Sequence, residues 1–75
     1  MSWHSIDDRL EKEMVFENQT QLAEFVLKVA KLSDEQNHHA DMQIRYNVLE
    51  LWLISHDVGK VTKRDHELAK MIDMI

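Results

Sequence analysis

The stretch Leu49-Glu50-Leu51-Trp52-Leu53-Ile54-Ser55-His56 decides how this chain is read. Leu49, Leu51 and Leu53 alternate with Glu50, Trp52, Ile54 and His56, and a period of two is that of a β-strand with unlike faces. The leucine face is expected to pack on helices. The opposite face carries Trp52 and Ile54, which no remaining element of the chain is left to cover, so a second subunit is the expected cover. Working upstream, Ile44-Arg45-Tyr46 reads as a partner strand joined through Asn47. Leu10 to Phe16 alternates loosely, with Leu10, Met14 and Phe16 on one face, and Trp3 to Ile6 reads as a short edge strand.

Two segments have helical periodicity. From Asn18 to about Ser33, the residues Leu22, Phe25, Val26, Val29 and Ala30 recur at i, i+3, i+4, i+7 and i+8 and make one apolar stripe. Asn18 is placed to cap the first turn, and Gln21 three residues on completes a capping-box pattern. From Thr62 to the C-terminus the stripe is Asp65, Leu68, Ala69, Ile72 and Ile75, with Met71 alongside, and Thr62-x-x-Asp65 is again a capping box. Gly59, the only glycine, precedes this helix where a tight turn calls for positive φ. The predicted fold is α+β, a four-stranded antiparallel sheet with helices on one face, in the order β-β-α-β-β-α.

Composition bounds the rest. With 75 residues, the chain is expected to form one domain over residues 1–75. A domain of this size buries only roughly 60% of the surface its unfolded chain exposes. It has no Cys, which excludes a disulfide framework and thiolate zinc sites. Self-association into a homodimer or homotetramer is the remaining support for so small a core. The longest apolar run, Leu51-Trp52-Leu53-Ile54, is far short of the roughly 20 residues of a membrane helix. The start, Met1-Ser2-Trp3-His4-Ser5, lacks the basic and apolar regions of a signal peptide, so the expected location is cytoplasmic. A net charge of −5 leaves no basic stripe for a nucleic-acid backbone. Lys60, Lys63 and Arg64 form the densest basic cluster and read as a solvated helix start.

The informative residues are the five histidines, His4, His38, His39, His56 and His66. His38 and His39 follow the first helix and His56 ends the last strand, so all three sit at element ends where side chains can converge on the rim of a sheet. Imidazole both donates and accepts protons near neutral pH. Three alternatives stand at this point. The histidines form an acid–base site; or they are solvent-facing residues at element ends, favoured there by the helix dipole; or three of them bind zinc. The adjacency of His38 and His39 lacks the i, i+4 spacing of common helical zinc motifs.

The segment Asp34-Glu35-Gln36-Asn37-His38-His39-Ala40-Asp41, then Tyr46, Ser55-His56-Asp57 and Thr62-Lys63-Arg64-Asp65, resembles the pterin-4a-carbinolamine dehydratase family. An acidic residue, a His pair, an aromatic, a third His and an Asp opening the last helix fall at the family's spacings at Asp34, His38, His39, Tyr46, His56 and Asp65. The resemblance runs from about residue 3 to residue 75. It implies a hydro-lyase that dehydrates 4a-hydroxytetrahydropterin to quinonoid dihydropterin, using no metal and no cofactor beyond the pterin substrate. It implies acid and base roles for His38 and His56, and substrate orientation by His39. Asp34 and Asp65 would orient or charge-tune the histidines, and substrate contacts are implied at Asn37, Ser55, His56 and Asp57. His4 and His66 match no functional position and read as surface residues.

This sequence departs from the family pattern in three ways. Ala40 replaces the usual Pro after the His pair, which frees φ there. Met42 stands where a bulky apolar residue is common and is expected to alter a pocket wall. The sequence starts near the first strand and is expected to lack the family's N-terminal helix. A non-catalytic reading is carried alongside: a dimerisation or coactivator-type module of the same fold. So is a dehydratase-like domain acting on another pterin.

Overall fold

The structure is a computed structural model and describes residues 3–75. Met1 and Ser2, part of the stretch read for a signal peptide, lie outside them. The elements run β1 (His4–Ile6), β2 (Arg9–Val15), α1 (Gln19–Gln36), β3 (Asp41–Arg45), β4 (Val48–Leu53) and α2 (Lys63–Asp73), the expected order. The strands form one antiparallel sheet in the order β1-β2-β4-β3.

The leucine face of β4 is fully buried, and Leu49, Leu51 and Leu53 are the centre of the core. They join Leu10 of β2, Leu22 and Val29 of α1, and Leu68, Ala69 and Ile72 of α2 in a single cluster, so both helices cover the same face. Phe16 follows β2 and packs on Phe25 with ring centroids 5.4 Å apart. Ile75, expected on the α2 stripe, is exposed, because the helix ends at Asp73. Lys12 shares the inward face with Leu10 and Met14. It is 8% exposed, and its Nζ reaches Asp73 on α2 at 2.6 Å, so the stem is buried while the ammonium is paired at the rim.

The element ends differ from the sequence reading for local reasons. Each hairpin closes with a two-residue loop, which requires positive φ. Asp7 and Asp8 take φ of 50° and 61° between Ile6 and Arg9. Tyr46 takes φ of 53° between Arg45 and Val48, which removes it from the strand it was expected to end. β3 starts earlier, at Asp41, and pairs with β4 from Trp52 to Val48. At α1, Asn18 Oδ1 accepts from the Gln21 N–H at 2.8 Å, but Gln21 Oε1 accepts from the Glu17 N–H rather than from Asn18. This is a capping box displaced by one residue.

The open face of the sheet is mainly charged. Trp52 lies between Glu11 and Asp41, and Glu50 between Glu13 and Gln43. Arg45 pairs with Glu50, and the Arg9 guanidinium lies over the Trp52 ring, 5.3 Å from its centroid. Trp52 and Ile54 are thus half-buried within one chain. Arg9 supplies part of the cover that was expected from a second subunit.

Candidate active site

Three element ends converge on one edge of the sheet. The first is the C-terminus of α1. Asn37 adopts the left-handed conformation at φ 52°, and its N–H donates to the Asp34 carbonyl. The next N–H, that of His38, donates to the Ser33 carbonyl at 3.1 Å. These two bonds form a Schellman motif, in which the residues leaving the helix have fixed directions. His38 and His39 are those residues, so the helix stop sets their position.

The second end follows β4. The Ser55 carbonyl accepts from the N–H groups of Val58, at 3.1 Å, and Gly59, at 2.8 Å, and the Ser55 N–H returns to the Lys60 carbonyl. Gly59 holds φ at +68°, as the turn was expected to require. This tight turn lifts His56 and Asp57 off the sheet. The third end is the start of α2, where Asp65 Oδ2 accepts from the Thr62 backbone N–H at 2.8 Å, one half of a capping box.

Asp65 also reaches outward. Its carboxylate is fully buried, with Oδ1 2.6 Å from His38 Nε2 and Oδ2 2.8 Å from Ser55 Oγ. Burial pushes this carboxyl up, but the bonds from His38, the Thr62 N–H and Ser55 outweigh it, and the group is held below the ordinary carboxylate range. It is therefore an anion and an acceptor, which places the His38 proton on Nε2 and leaves Nδ1 free to exchange protons. The other two histidines repeat the pairing in the open. His39 Nε2 lies 2.8 Å from Asp34, and His56 Nε2 lies 3.1 Å from Asp41. All three thus engage a carboxylate through the same ring nitrogen.

His38, His39 and His56 line one open cavity of about 390 Å³ together with Asn37, Asp41, Ile54, Asp57 and Arg64. Of the residues singled out from the sequence, Asn37 and Asp57 lie on its wall. Asp34 and Asp65 stand behind their histidines. Ser55 is fully buried, its hydroxyl shared between Asp65 and Thr62 Oγ1 at 2.7 Å, so it positions Asp65 and is not on the wall. Tyr46 is exposed at the opposite end of β3 and β4. Ala40 and Met42 pack against the core, and neither lines the cavity.

Two wall residues escaped the sequence reading. Asp41 stands two residues past the His pair, but its partner His56 is fifteen residues away and becomes a neighbour only through the β3–β4 register. Arg64, read as part of a solvated cluster, donates to Asp57 at 2.6 Å and holds that carboxyl below its ordinary range. Among the described residues, no three potential ligands are grouped to hold a metal ion, and no helix is long and apolar enough to cross a membrane.

The fold and site define a small α+β domain with a histidine–carboxylate cluster at the rim of its sheet. Its relatives are specific. The family profile described as pterin 4 alpha carbinolamine dehydratase matches residues 1–75. A protein of Sulfolobus acidocaldarius, provisionally named a pterin-4-alpha-carbinolamine dehydratase, is 40% identical over 73 residues, covering 97% of this chain and 80% of that one. A like-named protein of Thermomicrobium roseum is 40% identical over 70 residues, covering 93% of this chain and 75% of its own. The chain belongs to the pterin-4a-carbinolamine dehydratase family. Among solved structures, a transcriptional coactivator/pterin dehydratase from Brucella melitensis superposes with a TM-score of 0.90 at 20% identity, over 96% of this chain and 79% of that one. A pterin dehydratase-like protein identified as a RuBisCO assembly factor in the alpha-carboxysome superposes at 0.77 with 18% identity, over 97% and 84%. These two likenesses are of fold.

Proposed function

We propose that the chain dehydrates a 4a-hydroxytetrahydropterin to the quinonoid dihydropterin by histidine acid–base catalysis, as a hydro-lyase in pterin recycling. The observation that carries this reading is the gathering of His38, His39 and His56 around one open cavity, each tied to its own carboxylate. The chemistry asks for that set. The C4a–O bond breaks as a general acid protonates the leaving hydroxyl, and water departs. A base takes the proton from the ring nitrogen, whose electrons form the new C=N bond. His38 and His56 take the acid and base roles, and His39 orients the ring. Asn37 and Asp57 offer polar contacts on the wall, and Asp65, Asp34 and Asp41 hold the imidazoles. The reaction needs no metal and no cofactor beyond the pterin itself.

The same reading takes the chain to act in the cytoplasm as a homodimer or homotetramer. Light scattering at micromolar concentration tests the assembly, and a clean monomer mass would count against it. The catalytic test is turnover of a synthetic 4a-carbinolamine. His38→Ala and His56→Ala should each lose about 10²-fold or more, and a parent rate equal to the uncatalysed background would remove the enzyme reading.

A second reading, an interaction module of the same fold, is favoured by the coactivator and assembly-factor descriptions of the two fold neighbours. It predicts a folded oligomer with no turnover, and it assigns no task to the buried His38–Asp65 pair.

A further inference from the structure

A cleft of about 150 Å³ opens between the C-terminal end of α1 and the first turns of α2, lined by Gln36, His38, Arg64, Glu67 and Leu68. It shares His38 and Arg64 with the histidine cavity, so the His38 ring borders both spaces. We infer that this cleft carries protons between His38 and bulk solvent through water, with the Glu67 carboxylate as the relay. The inference rests on the dehydratase reading and adds to it the way the buried histidine is reset between turnovers.

The reaction requires such a reset. The acid gives one proton to the leaving hydroxyl and the base takes one from the ring nitrogen. No proton is gained or lost overall, but each cycle ends with one histidine a proton short and the other with one too many. His56 settles this with solvent directly, for its side chain is 71% exposed. His38 is 10% exposed, and its Nε2 is committed to Asp65. Its Nδ1 is the atom that exchanges, and during turnover the ligand fills the histidine cavity. The cleft behind supplies the other way out. It has room for a few waters, and the Gln36 amide, the Arg64 guanidinium and the Glu67 carboxylate offer them hydrogen-bond partners. Arg64 and Glu67 stand three residues apart on α2 and so share one face. Glu67 is 53% exposed, and its ion pair with Lys63 is loose, at 3.7 Å. It therefore meets bulk water, while His38 lies inside. In the acid role, His38 regains at Nδ1 the proton it gave to the hydroxyl. In the base role, its Nδ1–H passes through water to the Glu67 carboxylate, which returns the proton to solvent.

The test is rapid mixing of the protein with an excess of a synthetic 4a-carbinolamine in dilute buffer, so that the histidine cavity stays filled. In Glu67→Gln the first equivalent of product should form at the parental rate. Later turnovers should slow about tenfold, less than the loss of about 10²-fold or more expected for a group that acts on the substrate itself. Imidazole added as a small proton carrier should restore the steady rate of the variant. Glu67 lies on the exposed surface of α2, so the substitution leaves the core untouched. Later turnovers at the parental rate, a first turnover slowed by the same factor as the later ones, or a loss that imidazole leaves in place overturns the inference while leaving the dehydratase reading standing. A parent protein with no turnover above the uncatalysed background removes the dehydratase reading and this inference with it.

Discussion

Replacing Asp65 by Asn removes one charge and almost no volume, and its effects on folding and on chemistry separate by oxygen atom. Oδ2 serves folding, since it accepts from the Thr62 N–H and from Ser55 Oγ, each at 2.8 Å. Oδ1 serves His38, at 2.6 Å. An Asn placed to keep the first two bonds turns its NH₂ toward His38. The Nε2–H can no longer donate there, so the imidazole must carry its proton on Nδ1 instead. A charge-assisted bond worth about 1.5–3 kcal/mol becomes a neutral one worth about 1 kcal/mol. The expected loss of stability is about 1–2 kcal/mol, which a core supplying roughly 3–5 kcal/mol survives. Turnover should fall much further, because the wrong tautomer disables proton exchange. The corresponding change in a serine-protease triad costs about 10⁴ in rate, and at least 10² is expected here.

Asp65→Ala provides the contrast. It takes the acceptor from the part-buried Thr62 and His38 N–H groups, at about 1–3 kcal/mol each, and leaves the Ser55 hydroxyl only Thr62 Oγ1, so the domain should be largely unfolded. The assays are urea titration followed by circular dichroism, turnover of a 4a-carbinolamine, and the ¹⁵N signals of His38, which distinguish its tautomers. A folded Asn variant with parental turnover and the Nε2–H tautomer intact would refute the assignment.

Three further outcomes are expected. Because the Asp65 carboxyl is held below its unfolded value, its contribution to stability is complete above about pH 4 and is lost as pH falls through the folded value; the urea midpoint should drop on that acid limb in the parent and less steeply in Asp65→Asn. Asp73→Ala should destabilise by about 1–3 kcal/mol, since it leaves the Lys12 ammonium unpaired, whereas Lys12→Met should stay within about 1 kcal/mol of the parent; thermal unfolding compares the two. Asp8→Gly should raise the urea midpoint by the equivalent of about 0.5–1 kcal/mol, because Asp8 holds φ at 61° in a loop that favours Gly there.

The order of elements was legible because β4 and the two helices have unmistakable periods and caps. Leu49, Leu51 and Leu53 are as buried as their alternation implied, and Thr62 and Asp65 open α2 as their spacing implied. The errors lie where geometry depends on a partner strand. Tyr46 looks like strand from its side chain, but hairpin closure puts it at positive φ. Lys12 falls by alternation on the inward face with Leu10 and Met14, and what the strand alone did not reveal is its partner, Asp73, sixty-one positions later. The histidines could be found from composition and spacing, and three of them do face one cavity. What was not legible was pairing at a distance. His56 with Asp41, and the Arg9 guanidinium over Trp52, exist only because β4 lies between β2 and β3.

Position 65 has few workable residues, and the reason links folding to the proposed chemistry. Three donors converge on it: the Thr62 N–H, the Ser55 hydroxyl and the His38 ring N–H. Asn offers one acceptor oxygen and would meet one donor with its own NH₂. Glu carries two oxygens, but its extra methylene would have to fit a fully buried site. Ser could accept a backbone N–H and would not span the distance to His38 as well. Asp alone has two oxygens on a short stem, one for each task. The carboxylate that starts α2 is therefore the same one that holds the His38 proton. A substitution that weakens the cap also releases the histidine, and one that spares the cap, as Asn does, still changes the tautomer.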